Sequence, residues 1–164
     1  MPVKANIYLD TSVINFLFAT DVPELRKITE ELFHTFISTG IYNAFISDVV
    51  VEEINHTTDE TKRNQLLSVI NDYYLDYANL SAMAEIDGLA DLYIYHKIIP
   101  VNKRTDALHI AITVVNRFDY LISWNYKHLA NVNRERRVLA VNYENNYLHP
   151  IRIVTPLELF DTEL

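Results

Sequence analysis

The sequence predicts an α/β fold, a three-layer α/β/α sandwich with a central, mostly parallel, five-stranded sheet. Short segments rich in strand-forming residues alternate with longer segments of helical periodicity, and this alternation is typical of a parallel sheet covered on both faces. The length of 164 residues and the 49% apolar or aromatic content suit a single domain, residues 1–164, with a sizeable core.

Five segments have the composition of strands, because they are rich in β-branched, aromatic and other apolar residues. The first of them, NIYL at residues 6–9, ends at a carboxylate, Asp10. The other predicted strands are residues 43–47 (NAFIS), 75–80 (LDYANL), 119–123 (DYLIS) and 151–154 (IRIV).

Helices are predicted between these strands from the spacing of apolar residues and from end signals. Asp21 is a suitable N-cap for the second helix, which has Pro23 in its first turn and Gly40 at its end. Ser47 or Asp48 caps the third helix, which carries Glu53. The remaining predicted helices are residues 11–19, 58–73, 81–98, 105–117 and 131–147.

The composition excludes several classes of protein. The absence of cysteine excludes disulfides, thiol catalysis and Cys-ligated zinc, and it makes a cytoplasmic location the expectation. With two glycines, the chain has no Gly-rich phosphate loop. The formal net charge of −8 argues against a basic coat for nonspecific nucleic-acid binding. No apolar run is long enough to span a bilayer, so no membrane association is expected.

Oxygen-bearing side chains follow the ends of predicted strands. Asp10 directly follows the first strand, and Glu53 lies in the helix after the second. Asp106 opens the helix before the fourth strand, and Asn125 lies just past that strand's end. In parallel α/β sheets, functional sites form beyond the carboxyl ends of the strands. We therefore expect these four side chains to converge at one edge of the sheet.

Convergence of three carboxylates requires compensation. Two carboxylates about 5 Å apart, at an effective dielectric constant near 20, repel each other by about 3 kcal/mol. The cluster therefore needs protons or a cation. Carboxylate and amide oxygens without thiolates suit Mg²⁺ or Mn²⁺, and sites with few protein ligands often serve phosphate substrates.

Four segments, YLDTSVI, FISDVVVEEI, TDALHIAI and FDYLISWNYKHLAN, together resemble the PIN domain family, named after the PilT N-terminus. The last two are especially similar to VapC-like bacterial toxins, and the similarity spans essentially the whole chain, down to IRIVTPLEL. The resemblance implies the three-layer sandwich and Mg²⁺- or Mn²⁺-dependent cleavage of single-stranded or structured RNA. It also implies a small antitoxin protein as partner and a homodimer.

The resemblance also assigns roles to individual residues. By motif match, Asp10, Glu53 and Asp106 are the metal ligands, and with Asn125 they form the catalytic set. Asn125 stands where many members have the aspartate of a T-x-D turn, and Ser123 stands for the threonine. The neutral amide leaves open whether one or two metal ions bind. The predicted substrate-binding residues are Thr11, Ser12, Lys103, Arg104, Ser123 and His128.

Several of these residues also have simpler interpretations. Asp10 is a good helix N-cap. Glu52 and Glu53 point about 100° apart on a helix, so one of them is expected at the surface, and we favour Glu53 for the site. His109 suits a buried, hydrogen-bonded position better than substrate contact. Trp124 suits the edge of the core better than base stacking. The NRERR segment at residues 133–137 is a solvated helix face or a phosphate track.

Two other functions are considered. A PIN-like module that binds RNA or protein with weak or no hydrolysis is suggested by Asn125 and by the acidic charge. An aspartyl phosphatase of the haloacid-dehalogenase type also begins with an aspartate at a strand end. That chemistry requires a second aspartate two residues later, where this chain has Ser12.

Overall fold

A computed structural model describes residues 3–162 of the chain. Its centre is a five-stranded sheet in the order β3-β2-β1-β4-β5, and every neighbouring pair of strands is parallel. The strands are β1 (Asn6–Leu9), β2 (Asn43–Ile46), β3 (Asp76–Tyr77), β4 (Tyr120–Ile122) and β5 (Arg152–Val154). The predicted α/β/α sandwich is confirmed, with a sheet that is entirely parallel rather than mostly so.

Helices connect the strands and cover the sheet. They are α1 (Thr11–Phe16), α2 (Pro23–Glu31), α3 (Asp48–Asn55), α4 (Glu60–Asp72), α5 (Met83–Tyr95), α6 (Arg104–Val115), α7 (Val132–Glu144) and α8 (Pro156–Thr162). A π-helical stretch (Leu32–Ile37) continues α2, and a short 3-10 helix (Val101–Lys103) precedes α6. Parallel strands must be joined by crossover connections, and these helices provide them.

The second predicted helix differs from expectation at its start and in its final turns. Its N-cap is Val22, which makes no side-chain cap hydrogen bond, so the predicted cap Asp21 is not used. Its last turns are π-helical, with Ser38 N donating to Phe33 O at 2.9 Å. Gly40 follows with φ of 78°, a conformation that glycine adopts without strain.

Two further elements differ from the prediction in extent. The third strand has two residues instead of six, since only Asp76 and Tyr77 pair with β2. Helix α8 was not predicted, although Pro156 opens it and the Thr155 hydroxyl lies 3.4 Å from Glu158 N. Proline at the first position is favourable there because that backbone N–H has no helical partner.

Strand β1 lies in the middle of the sheet, and its side chains are buried on both faces. Ile7, Tyr8 and Leu9 are fully buried. Leu9 is in register with Ile122, so β1 and β4 end at the same edge. At the opposite edge, Asp119 accepts a hydrogen bond of 2.8 Å from Asn6 N. The register therefore defines the carboxyl edge, where the predicted site lies, and an amino edge, where Asp119 lies.

None of the helices within residues 3–162 has both the length and the apolarity needed to cross a bilayer.

Candidate functional site

Asp10 occupies a buried position at the carboxyl edge and caps α1. Its Oδ1 accepts from Ser12 Oγ at 2.5 Å and its Oδ2 from Ser123 Oγ at 2.5 Å. Val13 N also lies 3.4 Å from Oδ1, which is the N-cap contact. Burial raises the pKa of Asp10, and the charge of Asp106 raises it further, against the opposing effects of His109 and the two serines. The capping and site interpretations of Asp10 thus describe one and the same side chain.

Glu53 is held from two sides at the carboxyl edge. Thr11 Oγ1 donates to Glu53 Oε1 at 2.6 Å, and His109 Nε2 lies 2.7 Å from the same oxygen. Burial by itself raises the pKa of Glu53, but His109 and Thr11 lower it overall. Glu52, by contrast, is exposed. The expectation that Glu53 faces the site and Glu52 the surface agrees with this arrangement.

His109 is 2% exposed and connects Glu53 to the core. Its Nδ1 lies 2.8 Å from the Tyr8 hydroxyl, which lies 2.7 Å from Ser47 Oγ. Burial lowers the pKa of His109, but the hydrogen bond and charge of Glu53, with the charges of Asp10 and Asp106, raise it overall. Through its two ring nitrogens, His109 therefore links the Tyr8 hydroxyl of strand β1 with the glutamate on α3.

Asp106 lies in the first turn of α6, and its carboxylate accepts no hydrogen bond from the described part of the chain. Burial raises the pKa of Asp106; His109 lowers it and Glu53 raises it. The charges of His128 and Lys103 lower it as well. The charge of Asp106 also raises the pKa of Asp10. Asp106 therefore interacts electrostatically with both Glu53 and Asp10.

Asn125 follows β4 in a turn at the same edge. Its side-chain Oδ1 accepts from His128 N at 3.0 Å, and its backbone N–H donates to Ser123 Oγ at 2.9 Å. The serine hydroxyl thus connects Asp10 with the turn. Ser12 Oγ accepts from Trp124 N at 3.0 Å, so the two serines join the ends of β1 and β4.

The predicted substrate-binding residues divide into two groups. Thr11, Ser12 and Ser123 contact the carboxylates directly, as described above. Lys103 is exposed beside Asp106, and His128 is half-buried near the same carboxylate. Arg104 turns away towards α5, where its guanidinium pairs with Asp91 and lies 3.3 Å from Asp87. The structure therefore does not bring Arg104 into the cluster.

Two arginines of α7 bind backbone carbonyls near the end of α5. Arg134 Nη1 donates to Ile98 O at 2.5 Å, and Arg137 Nη2 donates to His96 O at 2.9 Å. Both acceptors lie just beyond the end of α5, where helical carbonyls lack partners. Arg136 is exposed. Neither of the two predicted interpretations, a solvated face or a phosphate track, anticipated that two of the three arginines anchor a helix end.

The carboxylate and amide oxygens at this edge are ligands that a hard divalent cation prefers. Their present geometry is less suitable. Carboxylates that raise one another's pKa are the groups that a divalent cation stabilises. Yet within residues 3–162 no group of three or more Asp, Glu or His side chains is close enough to hold a metal ion as it stands. Both oxygens of Asp10 and one of Glu53 accept hydrogen bonds, but each oxygen keeps a second lone pair, so ligation requires a closer approach of the carboxylates and not the loss of these bonds.

His109 and Tyr8 belong to the site but were not predicted to contact it. The sequence did place His109 three residues after Asp106, a spacing that puts both on one face of a helix. The signal that could have identified the contact is a polar, titratable residue within an otherwise apolar segment, LHIAI, because a buried imidazole needs a partner.

Two comparisons with known proteins identify no relative of this chain: no family model matches it, and no curated protein is similar to it.

Proposed function

We propose that this protein is a Mg²⁺- or Mn²⁺-dependent ribonuclease of the PIN type and the toxin of a type II toxin–antitoxin pair. The observation that supports it best is the electrostatic coupling of Asp10, Glu53 and Asp106 at the carboxyl edge of the sheet. This edge is where parallel α/β sheets carry their functional sites. The resemblance of four sequence segments to PIN nucleases supplies the reaction and the substrate class.

The residues of the site have different proposed roles. Asp10 and Asp106 provide negative charge, while Glu53 is ionised at neutral pH because His109 and Thr11 lower its pKa. An ionised carboxylate is able to accept the proton of an attacking water. Ser12 and Ser123 fix the carboxylate of Asp10 from both sides. A bound divalent cation would supply activation of that water and stabilisation of charge on the phosphate.

Lys103 and His128 support a phosphate-bearing substrate. Both lie close enough to Asp106 for their charges to lower its pKa. In a chain with a formal net charge of −8, the Lys103 ammonium and the His128 imidazole beside Asp106 offer a local positive charge and a hydrogen-bonding group for a phosphodiester. We expect Asn125 to orient a phosphate oxygen through its amide group, since its Oδ1 already accepts from His128 N.

A second function, a PIN-like module that binds RNA or protein with little or no hydrolysis, is favoured by one observation. Among the residues that the structure describes, no group of three Asp, Glu or His side chains is close enough to hold a metal ion. The two functions differ in whether the bound RNA is cut.

The deciding experiment incubates the purified protein with a labelled single-stranded RNA in Mn²⁺ and, separately, in EDTA. We expect cleavage in Mn²⁺ alone, with 5′-phosphate and 3′-hydroxyl ends. RNA that is bound in both buffers and cut in neither establishes the binding module instead. RNA that is neither bound nor cut counts against both functions.

The proposal includes partners. We expect a small antitoxin protein encoded by a neighbouring gene, and a homodimer in the purified state. Co-expression with the product of each adjacent gene, followed by a growth assay, tests the first expectation. Light scattering on the purified protein tests the second.

A further inference from the structure

Trp124 is fixed inside the protein and is not able to contact a ligand. It is 4% exposed, and its ring Nε1 donates to Thr29 Oγ1 at 2.8 Å. Phe16 stacks against it with ring centroids 5.6 Å apart. The expectation that Trp124 belongs to the edge of the core is therefore confirmed. Base stacking requires another aromatic ring.

Tyr126 is the aromatic residue that continues from Trp124 towards solvent. It directly follows Asn125 in the turn after β4, and it is 51% exposed. Its ring meets the indole of Trp124 edge-on, with centroids 6.0 Å apart and an interplanar angle of 61°. A buried indole thus contacts Tyr126, while about half of the tyrosine stays accessible.

The charges around Tyr126 differ from those around Asp106. The charged side chain that affects Tyr126 is Glu158 of α8. Burial and the negative charge of Glu158 raise the pKa of the Tyr126 phenol. Lys103 and His128 lie instead beside Asp106. A phosphate is repelled by Glu158 and attracted by Lys103, whereas an uncharged base is compatible with the aromatic side.

We propose that Tyr126 is a base-stacking platform that holds an unpaired nucleotide of the RNA next to the scissile phosphate. The proposal rests on the proposed ribonuclease function. Aromatic stacking is tolerant of base identity, and it requires a base that is not stacked in a duplex. Tyr126 would therefore favour single-stranded over double-stranded RNA without selecting a sequence.

The test measures binding in EDTA, where the metal-dependent reaction does not proceed. The probes are a fluorescein-labelled single-stranded RNA dodecamer, its duplex, and a dodecamer of abasic ribose phosphates. For Tyr126→Ala we expect roughly 5- to 150-fold weaker binding of the base-bearing single strand. Binding of the abasic strand is expected to stay the same, since that strand has nothing to stack.

Matched variants separate stacking from other effects. Tyr126→Phe keeps the ring and should bind as the unmodified protein does. Tyr126→Leu keeps an apolar contact with Trp124 but has no planar face, so it should bind as weakly as Tyr126→Ala. Tyr143, on α7, has similar exposure at 49% and is not part of the site, so Tyr143→Ala is the control and should have no effect.

The outcomes distinguish this proposal from the proposed function. If the unmodified protein binds and cuts the single strand and Tyr126→Ala does both equally well, the platform is wrong and the nuclease stands. Equal loss in Tyr126→Phe and Tyr126→Ala assigns the effect to the hydroxyl and also overturns stacking. An unmodified protein that neither binds the single strand in EDTA nor cuts it in Mn²⁺ overturns both proposals. Loss of a co-purified protein partner in Tyr126→Ala, with RNA binding intact, identifies a protein-docking residue instead.

Discussion

His109 Nε2 lies 2.7 Å from Glu53 Oε1, and this contact joins α6 to α3 across the carboxyl edge of the sheet. The histidine is almost fully buried, whereas the glutamate side chain is 37% exposed. Their pKa values move in opposite directions: that of His109 is raised and that of Glu53 is lowered, each against the effect of its own burial. The pair is thus a fixed ionic contact with one member open to a ligand.

This contact gives stability a specific dependence on pH. The raised pKa of His109 means that its contribution is complete below about 6.5, the unfolded value, and is lost as pH rises through the higher folded value. The lowered pKa of Glu53 means that its contribution is complete above about 4.3 and is lost as pH falls through the lower folded value. The pair is therefore most stabilising between these two unfolded values.

We predict that His109→Gln reduces the free energy of unfolding more at pH 5.5 than at pH 8.5. The difference should be about 1 kcal/mol, because solvent screening of the partly exposed Glu53 weakens the pair. Urea unfolding in EDTA measures it. His149→Gln is the control, since His149 pairs with Asp119 at the amino edge and both side chains are partly exposed. A loss that is equal at the two pH values contradicts the ionic nature of the pair.

Asp10 provides a test of metal binding that does not require an RNA substrate. We predict that Mn²⁺ raises the melting temperature of the unmodified protein, since a ligand at 100 times its Kd adds about 2.7 kcal/mol. Asp10→Asn should diminish this increase while the protein stays folded, because its neutral amide no longer attracts the cation. Differential scanning fluorimetry across millimolar Mn²⁺ measures it. An unchanged melting temperature in the unmodified protein argues strongly against the metal site.

Asp106 and Asp119 distinguish the two edges of the sheet. We predict that Asp106→Asn abolishes RNA cleavage and growth arrest, since Asp106 belongs to the carboxylate cluster. Asp119→Asn should retain most activity, because Asp119 binds Asn6 N and His149 at the amino edge. Cleavage of a labelled RNA by both variants, after circular dichroism has verified folding, measures this. If both variants are folded and lose activity equally, the site is not confined to the carboxyl edge of the sheet.

The arginines of α7 allow helix anchoring to be separated from RNA binding. We predict that Arg134→Gln lowers the free energy of unfolding by about 1 kcal/mol, since it removes a hydrogen bond from a charged group to Ile98 O. Arg136→Gln is the matched control on the same helix and should change stability little, because Arg136 is exposed. Urea unfolding measures both variants. If Arg134→Gln weakens RNA binding at full stability, the arginine serves the substrate instead.

The sequence predicted that Asp10 ends the first strand and that functional side chains meet at the carboxyl edge of the sheet. The contact between Asp10 and Ser123 requires more, namely the pairing of β1 with β4 and a fourth strand that ends at Ile122, before Ser123. The contact between Glu53 and His109 was not predictable either. Those residues are 56 positions apart on two helices, and the rotation of each helix depends on packing across the whole layer.

The same distinction applies to the fold. The alternation of strands and helices predicted the layers, because it depends only on composition and periodicity. The π-helical stretch Leu32–Ile37 was missed because a shift of one residue in hydrogen bonding leaves the apolar spacing nearly unchanged. The third strand was predicted too long, because strand-forming composition does not tell how many residues pair with a neighbour, and here only Asp76 and Tyr77 are in register with β2.

Asn125 is the residue at which the chain departs from the aspartate expected of the proposed PIN-type site. Its Oδ1 accepts from His128 N, and an aspartate at this position would accept the same hydrogen bond. We predict that Asn125→Asp preserves the turn and binds Mn²⁺ more tightly, because it adds a negative charge where a second cation would bind. Asn125→Ala removes the turn's side-chain acceptor and one neutral oxygen. It should therefore lose less Mn²⁺ affinity than Asp10→Ala, since a neutral ligand contributes less Coulomb attraction.

Calorimetric titration with Mn²⁺ compares these three variants with the unmodified protein, which should bind one cation, weakly, in the absence of RNA. The reason is that, without RNA, three carboxylates carry more negative charge than one divalent cation neutralises but less than two divalent cations require. Asn125→Asp is expected to approach two cations per chain. Two equally tight sites in the unmodified protein, or a greater loss of affinity in Asn125→Ala than in Asp10→Ala, would mean that the amide is a principal ligand and not a neutral neighbour of the carboxylates.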